Sequence, residues 1–458
     1  MKIAVINGSP KGQYSITLQT ILYLQKKNPK LEIEILHASQ MIKSLENDFT
    51  RAKELLDSSD AVIFSYPVYT FIAPSQLHRF IELMKEHNID MTDKYVTQLT
   101  TSKHFYDVTA HKYIEENMLD MGVRYIKGLS ADMDDLLTDK GKEEAEKFLQ
   151  RFLWSIEYKV FTQGVKTVPT ANRVPVEKRI TNHKHLEGKD VVIVTDCDDD
   201  TSNLYYMIKR FRDNFKYNTR LVNINELKLN AGCLGCFRCA VSGNCVHKDG
   251  FDNYLRVHIQ TTDAIVYAFE IRDHSMGSRF KMYDDRNFCN GHRTVTEGMP
   301  VGYIISGDYS KESNLQMIIE GRAEVGGNFL CGIATDEFDA TADVEKLSRA
   351  LTFALDTKQK APRNFLGIGG NKIFRDLIWQ MRGMMRADHK FYKEHKHYDF
   401  PQKKWYKALI MYPIGWLLSS EKIVAKMGNK MNEGMIAPYK RLFKQMDRDE
   451  EQRKIHGR

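Results

Sequence analysis

The 458 residues contain no apolar run long enough to cross a bilayer. The stretch Ala408–Leu418 is eleven residues with Pro413 inside, well short of the ~20 that a spanning helix needs, so no transmembrane segment is expected. No charged stretch followed by a long apolar one opens the chain; Met1-Lys-Ile-Ala-Val-Ile runs directly into an apolar strand, and export is not expected. The usual nucleotide signatures are missing too. The first glycine loop lacks the G-K-[ST] ending of a Walker loop and has no GxGxxG, and Gly367-Ile-Gly-Gly370 follows no convincing strand and reads as the start of a helix. Cysteine is scarce, seven in all, yet four fall within thirteen residues. Clustered thiols without an export signal point to a reducing cytoplasm, where they serve metals or redox chemistry instead of disulfides. Positive charge is confined to the tail. From Asn364 onward 20 Lys+Arg meet 10 Asp+Glu, giving +10 against −3 for the remainder, and no nucleic-acid partner is expected.

What is present is a soluble globular composition, 42% hydrophobic and 28% charged, on a chain long enough for about three domains of typical size. Lys2–Asn7 reads as a buried strand that breaks into Gly8-Ser9-Pro10-Lys11-Gly12-Gln13-Tyr14-Ser15-Ile16-Thr17, and an amphipathic helix follows with Leu18, Ile21, Leu22 and Leu24 on its apolar side. A strand, a glycine and hydroxyl loop and a helix N-terminus make an anion site, because free N–H groups and the helix dipole face it. The hydroxyls of Ser9, Ser15 and Thr17 suit a phosphate monoester; a turn that merely caps the helix is the alternative. Strand signals at Leu31–Leu36, Asp60–Ser65 and Tyr95–Thr100 alternate with helices, the pattern of a doubly wound parallel sheet. Ligands in such sheets lie at the carboxyl ends of the strands. That edge should gather Gly8–Thr17, the loop Tyr66–Phe71, with aromatic and proline surfaces for a flat ring, and the loop Thr101–Tyr106, with polar groups for a ring edge.

The pattern then repeats. Residues 163–188 read as a linker, after which Asp190–Asp196 matches Lys2–Gly8 and Thr219–Ile224 matches Leu31–Leu36, both at an offset of 188; Asp263-Ala-Ile-Val-Tyr matches Asp60-Ala-Val-Ile-Phe at 203. The second copy has gained fifteen residues between its second and third strands, and the cysteine cluster lies in that interval, on the expected ligand edge. The copies are complementary. Where the first has its glycine loop, the second has Asp196-Cys197-Asp198-Asp199-Asp200-Thr201-Ser202-Asn203, with no glycine and four carboxylates. Each carboxylate within about 4 Å of a phosphate charge costs about 4 kcal/mol near a protein surface. Glu270 and Arg272 also replace Pro67 and Tyr69, so the second copy is not expected to hold the ligand that the first copy's loops suit. The acidic run reads as a solvated turn, with a divalent cation as the alternative.

Cys233, Cys236, Cys239 and Cys245, three of them spaced by two residues, can wrap one corner of an iron–sulfur cube, and a [4Fe–4S] cluster is the expected occupant. Structural zinc, which usually draws two CxxC pairs from separated knuckles, is the alternative, as is no metal. Cys197, Cys289 and Cys331 lack metal spacing and read as ordinary buried thiols. After about Pro362 a helical tail begins. Phe374, Leu377, Ile378, Met381 and Met385 form one apolar face and Arg375, Arg382, Arg386 and Lys390 the polar side. Such a helix docks on its own domains or on a membrane surface, and docking on the domains is the expectation, with peripheral membrane contact as the alternative.

Gly8-Ser9-Pro10-Lys11 with Ser15 and Thr17, and Asp60-Ala-Val-Ile-Phe64-Ser-Tyr-Pro67-Val-Tyr69, resemble the phosphate loop and the D-x-x-x-F-x-x-P-x-Y element of the flavodoxin-like NAD(P)H-dependent FMN reductase family, over residues 1 to about 155. The resemblance implies FMN bound by Ser9, Lys11, Ser15, Ile16, Thr17, Pro67, Val68, Tyr69, Thr70, Phe71, Thr101 and Ser102, with NAD(P)H as reductant. Lys11 stands where that family often has Arg. The segment Cys233-x-Gly-Cys236-x-x-Cys239-x-x-x-Gly-x-Cys245 followed by Asp249 resembles the compact motif of the iron–sulfur flavoproteins of the same superfamily. Those work as dimers in which one subunit's cluster approaches its partner's flavin. Here the motifs are split between tandem copies, which implies an internal pseudo-dimer, with a higher oligomer left open. The expected architecture is therefore α/β: a flavodoxin-like FMN domain at 1–162, the linker 163–188, a second flavodoxin-like domain at 189–361 carrying the cysteines, and a basic helical extension at 362–458. The expected function is an FMN-dependent oxidoreductase passing electrons between FMN and the cluster. An electron carrier to ferredoxin or another redox protein, and a zinc-stabilised flavin scaffold, are the alternatives. His104 and Tyr106 are the candidates for acid–base work.

Overall fold

The structure is a computed structural model that describes residues 1–167, 173–177, 185–427 and 430–456. It forms two units, Met1–His395 and Lys396–Arg458. The first unit contains two sheets. The first is built from β1 (Lys2–Asn7), β2 (Glu32–Leu36), β3 (Ala61–Pro67), β4 (Tyr95–Ser102), β5 (Arg124–Tyr125), β6 (Leu129–Asp132) and β7 (Thr162–Gln163), in the order β2-β1-β3-β4-β5-β7 with β6 also on β4. All its pairings are parallel except β5 with β7. The second sheet comprises β8 (Leu186–Thr195), β9 (Tyr217–Asn223), β10 (Ala264–Glu270), β11 (Pro300–Ser306) and β12 (Phe329–Thr335), wholly parallel in the order β12-β11-β10-β8-β9. Read from its other edge this is the 2-1-3-4-5 order of the first sheet, the flavodoxin-like order of doubly wound folds. Of the expected linker 163–188, residues 168–172 and 178–184 lie outside the described residues.

Both central strands are continuous apolar runs because helices cover both faces: Ile3, Ala4, Val5 and Ile6, and Val191 to Val194, are fully buried. The helix Ile16–Lys27 buries Leu18, Ile21 and Leu24, but Leu22 is exposed, since it falls at the edge of the covered stripe. The internal repeat holds in the register of the third strands. Ala61 pairs with Ile3 and Ala264 with Val191, which preserves both offsets. The second strands differ, Ile33 facing Ile3 but Thr219 facing Val191. A slip of two residues keeps every side chain on its own face, which is why the fold tolerates it.

Equivalent helices of the two copies pack on each other. Ser75–Glu86, after β3, meets Gly277–Arg286, after β10; Asp107–Leu119, after β4, meets Ser313–Gly326, after β11. Like elements meeting like is the pattern of a two-fold interface, here within one chain. Buried polar groups lock it. Asp273 accepts from His78 Nδ1 (2.7 Å) and Tyr113 Oη (2.8 Å), with Asn117 Nδ2 on its backbone oxygen (2.9 Å). Nearby, His274 spans Asp120 of the first copy (2.7 Å) and Glu312 of the second (3.0 Å).

Residues 362–395, read as the start of the basic extension, belong to the first unit. Their helix Phe365–Gln380 buries Ile378, and Phe374 packs on Phe105 and His292 at centroid separations of 4.3 and 4.5 Å. Arg375, expected on the polar side, is buried. The second unit consists mainly of the helices Trp405–Leu418, Glu421–Met427 and Lys430–His456. Among the described residues no helix is long and apolar enough to cross a membrane.

The His274 bridge makes stability depend on pH. Burial alone would lower its pKa, but the bonds to Asp120 and Glu312 outweigh burial and hold it near about 10. A raised folded-state pKa contributes stability that is complete below the unfolded value of about 6.5 and lost as pH rises through about 10. The midpoint of thermal unfolding should therefore fall between pH 7 and 10, and His274→Gln should flatten that slope; an unchanged slope would refute the assignment.

Candidate functional site

A cavity of about 390 Å³ opens between the two copies. All twelve residues expected to meet FMN line it, and so do Cys233, Gly235 and Phe237 from the cysteine segment. The loop after β1 is shaped by Asn7, whose Nδ2 donates to Gly12 O (2.9 Å) and whose Oδ1 accepts from Ser9 N (3.1 Å). Gly12 has φ +55°, and a Cβ there would lie 2.1 Å from Gln40 Oε1, so only glycine fits. Ser15 caps the following helix by accepting from Leu18 N (3.4 Å), and Thr17 and Thr101 hydroxyls meet at 2.5 Å. Ser9, Lys11, Ser15 and Thr17 thus line one cavity beside a helix N-terminus, a donor set that fits a phosphate.

The loop expected to flank the flavin ring is strained. Thr70 and Phe71, neither a glycine, have φ +39° and +77°, a conformation that persists only where its surroundings impose it. Those surroundings come from the second copy. Lys281 and Asp285, both fully buried, pair with each other; the Lys281 ammonium donates to Tyr69 O (3.1 Å) and Thr70 Oγ1, and Asp285 accepts from Thr70 Oγ1 (2.5 Å) and Ser75 N (2.7 Å). Arg322, paired with Asp284, donates to Thr70 O (2.8 Å) and covers the Phe71 ring at 4.9 Å. In sequence these residues are nothing more than surface-type charges on helices.

The cysteine segment reaches the same place from the other side. Gly235 has φ +60°, and a Cβ on it would lie 1.8 Å from Tyr69 Oη, so the loop after β3 and the cysteine loop are in direct contact. Gln76 Nε2 donates to Cys233 O (3.4 Å), and Lys11 Nζ sits 5.5 Å from the Phe237 centroid. Burial lowers the pKa of Lys11, while the neighbouring Cys236 and Cys233 oppose that shift. Asp249, behind the loop, takes both Nη groups of buried Arg286 (2.8 Å each), and Arg286 also donates to Ala231 O (2.9 Å). Cys239 is buried and Cys236 exposed. Burial pushes the Cys233 thiol up, and that of Cys239 up to about 11, so a cationic centre is needed to ionise them. Among the described residues the group of three candidate ligands whose atoms lie within 4.8 Å of one another is Glu116, His274 and Glu312. Cys289 is buried, as expected of an ordinary thiol; Cys197 and Cys331 are half-buried, not buried as expected.

His104 and Tyr106 are not among the residues lining the cavity. His104 is half-exposed and bonded to Asp107 (2.9 Å). The Tyr106 ring packs against Phe71 and Phe105, and burial raises its pKa to about 12. In the second copy, Asp196, Asp198, Asp199, Glu270 and Arg272 line a separate cavity of about 250 Å³, and burial pushes Asp196 up to about 6.

Two substitutions probe the shared wall. Asp285→Ala leaves Lys281 buried without its partner and should cost about 3–5 kcal/mol in urea unfolding. Gly235→Ala places a side chain in the left-handed region against Tyr69 and should cost roughly 1–3 kcal/mol; losses under half a kcal/mol in either variant would contradict the geometry.

Residues 1–124 match the family described as NADPH-dependent FMN reductase. An iron-sulfur flavoprotein of Archaeoglobus fulgidus is 24% identical over 196 residues, covering 40% of this chain and 86% of that protein. Among solved structures, the flavoenzyme NAD(P)H:(acceptor) oxidoreductase of Paracoccus denitrificans is 20% identical, covering 34% of this chain and 97% of its own, with a TM-score of 0.29. An NADH:FMN oxidoreductase in its apo form is 16% identical, with 34% and 89% covered and a TM-score of 0.29. The motifs, the strand order and the family match agree on residues 1–124: they have a flavodoxin-like strand order and are similar to the NADPH-dependent FMN reductase family.

Proposed function

We propose that the chain binds one FMN in its first copy and a [4Fe–4S] cluster on Cys233, Cys236, Cys239 and Cys245 in its second, and that NAD(P)H-derived electrons pass between the two within the chain. The observation that carries this reading is the contact of Gly235, inside the cysteine motif, with Tyr69, inside the flavin loop, across one cavity. The likeness to the iron-sulfur flavoprotein, and the spacing of Cys233, Cys236 and Cys239 by two residues each, support iron over zinc.

Bound FMN would take up a hydride and release electrons one at a time, and a cluster would carry single electrons. The chain's own residues hold and shield the pair. Ser9, Ser15 and Thr17 would donate hydroxyl hydrogen bonds to the phosphate, and Lys11 would offset its charge. Pro67–Phe71, fixed from behind by Lys281 and Arg322, give the ring a rigid wall. The apolar side chains Tyr267, Phe280 and Tyr303 in the cavity keep water scarce. The carboxylates lining the second copy's cavity disfavour a second phosphate there.

Anaerobically reconstituted protein should contain one FMN and about four irons per chain. Cys236→Ser should bleach the cluster absorbance and leave the flavin. Ser9→Ala with Ser15→Ala removes two donors to a charged group, each worth about 1.5–3 kcal/mol, and should weaken FMN by at least a hundredfold in fluorescence titration. Two flavins per chain, or zinc in place of iron, would overturn the proposal.

A further inference from the structure

The second unit presents apolar side chains to solvent in a manner that a folded protein does not leave unpartnered. In the helix Trp405–Leu418, Trp405 is 66% exposed, Ile410 53%, Tyr412 75% and Trp416 78%, and Leu409, Met411, Ile414 and Leu417 are exposed as well. These positions cover the whole circumference, so the helix is apolar all round. The helix Lys430–His456 adds Met435, Ile436, Tyr439, Leu442, Phe443 and Met446, all exposed. Their spacing of three and four residues makes one stripe, and Lys440, Arg441 and Lys444 fall outside it. Between residues 403 and 446 the sequence holds nine Lys+Arg and two Asp+Glu.

We propose that this unit docks on an anionic lipid bilayer, with the Trp405–Leu418 helix inserted into one leaflet and the Met435–Met446 stripe on the membrane surface. A second copy of the chain would cover one side of the Trp405–Leu418 helix and leave the other wet, whereas lipid covers every side. Two such surfaces would also bring like charges together, but anionic headgroups complement them. The helix has Trp405 and Tyr406 at one end and Tyr412 and Trp416 toward the other, side chains whose apolar body and polar tip suit the headgroup level. Its 14 residues reach about 21 Å, short of the ~30 Å hydrocarbon layer. It therefore enters one leaflet only. Lys403, Lys404 and Lys407 on one side and Lys422 and Lys426 on the other supply the electrostatic part of binding.

Full-length protein tests this with vesicles of phosphatidylcholine alone or mixed with phosphatidylglycerol. Binding is read by sedimentation and by the blue shift of tryptophan fluorescence. The protein should bind the mixed vesicles at low salt, bind phosphatidylcholine far more weakly, and be released as salt screens the charge. Each basic residue near the surface is worth about fivefold in partition, so Lys404→Gln, Lys407→Gln and Lys422→Gln together should weaken binding about a hundredfold. Ile410→Glu with Trp416→Glu should abolish it. Both variants should keep the wild-type thermal melt, because these side chains touch solvent in the free protein. Equal binding to both vesicle types, no binding to either, or a solution dimer that Ile410→Glu dissociates would each overturn the proposal.

Discussion

The site depends on a buried lysine. Lys281 has no exposed surface, and its ammonium is held by Asp285, by the Thr70 hydroxyl and by the carbonyl of Tyr69. An ion pair in such a place adds little net stability over a hydrophobic pair but is costly to leave incomplete, and its geometry admits few alternatives. Here it specifies where the second copy sits on the first, and it holds Thr70 and Phe71 in backbone conformations they would not adopt alone. Asp285 extends the same constraint by accepting from Ser75 N at the start of the helix after β3. The wall of the shared cavity is in this sense a product of both copies.

That arrangement explains how two copies of one fold have come to differ. The first keeps hydroxyls and a glycine turn at the end of β1, and the second has Asp196, Asp198 and Asp199 lining the equivalent cavity. The second instead lengthens the connection after β9 and uses it to carry the cysteines to the first copy's ligand edge. Equivalent helices meeting across the interface bring about, inside one chain, the closeness of two sites that separate subunits of a symmetric dimer would otherwise supply.

Much of this was legible in the sequence because it rests on local chemistry. The apolar runs Lys2–Asn7 and Asp190–Asp196, the offsets of 188 and 203, the phosphate loop and the cysteine spacing are all contiguous signals, and the structure gathers Ser9, Tyr69, Thr101 and Cys233 around one cavity. What was not legible lies in long-range packing. Lys281 and Asp285 stand four apart on a helix, a spacing that reads as an ordinary solvent-exposed pair, until Ser75–Glu86 buries it. The two-residue slip of β9 leaves no trace in a period-two pattern. Arg375 reads as part of a basic face, but its helix packs within the first unit. His104 and Tyr106 follow the right strand, yet the turn they occupy, with φ of +55° and +52°, leaves both off the cavity lining.

The central claim is that one chain completes the redox site. Its most direct test is rapid-mixing spectroscopy of anaerobic holoprotein with NADPH across a hundredfold range of protein concentration, following the flavin band and then the cluster band. Transfer inside one chain predicts that the second phase has the same rate constant at every concentration. A rate that rises in proportion to protein concentration would show that electrons cross between chains, and would contradict the account.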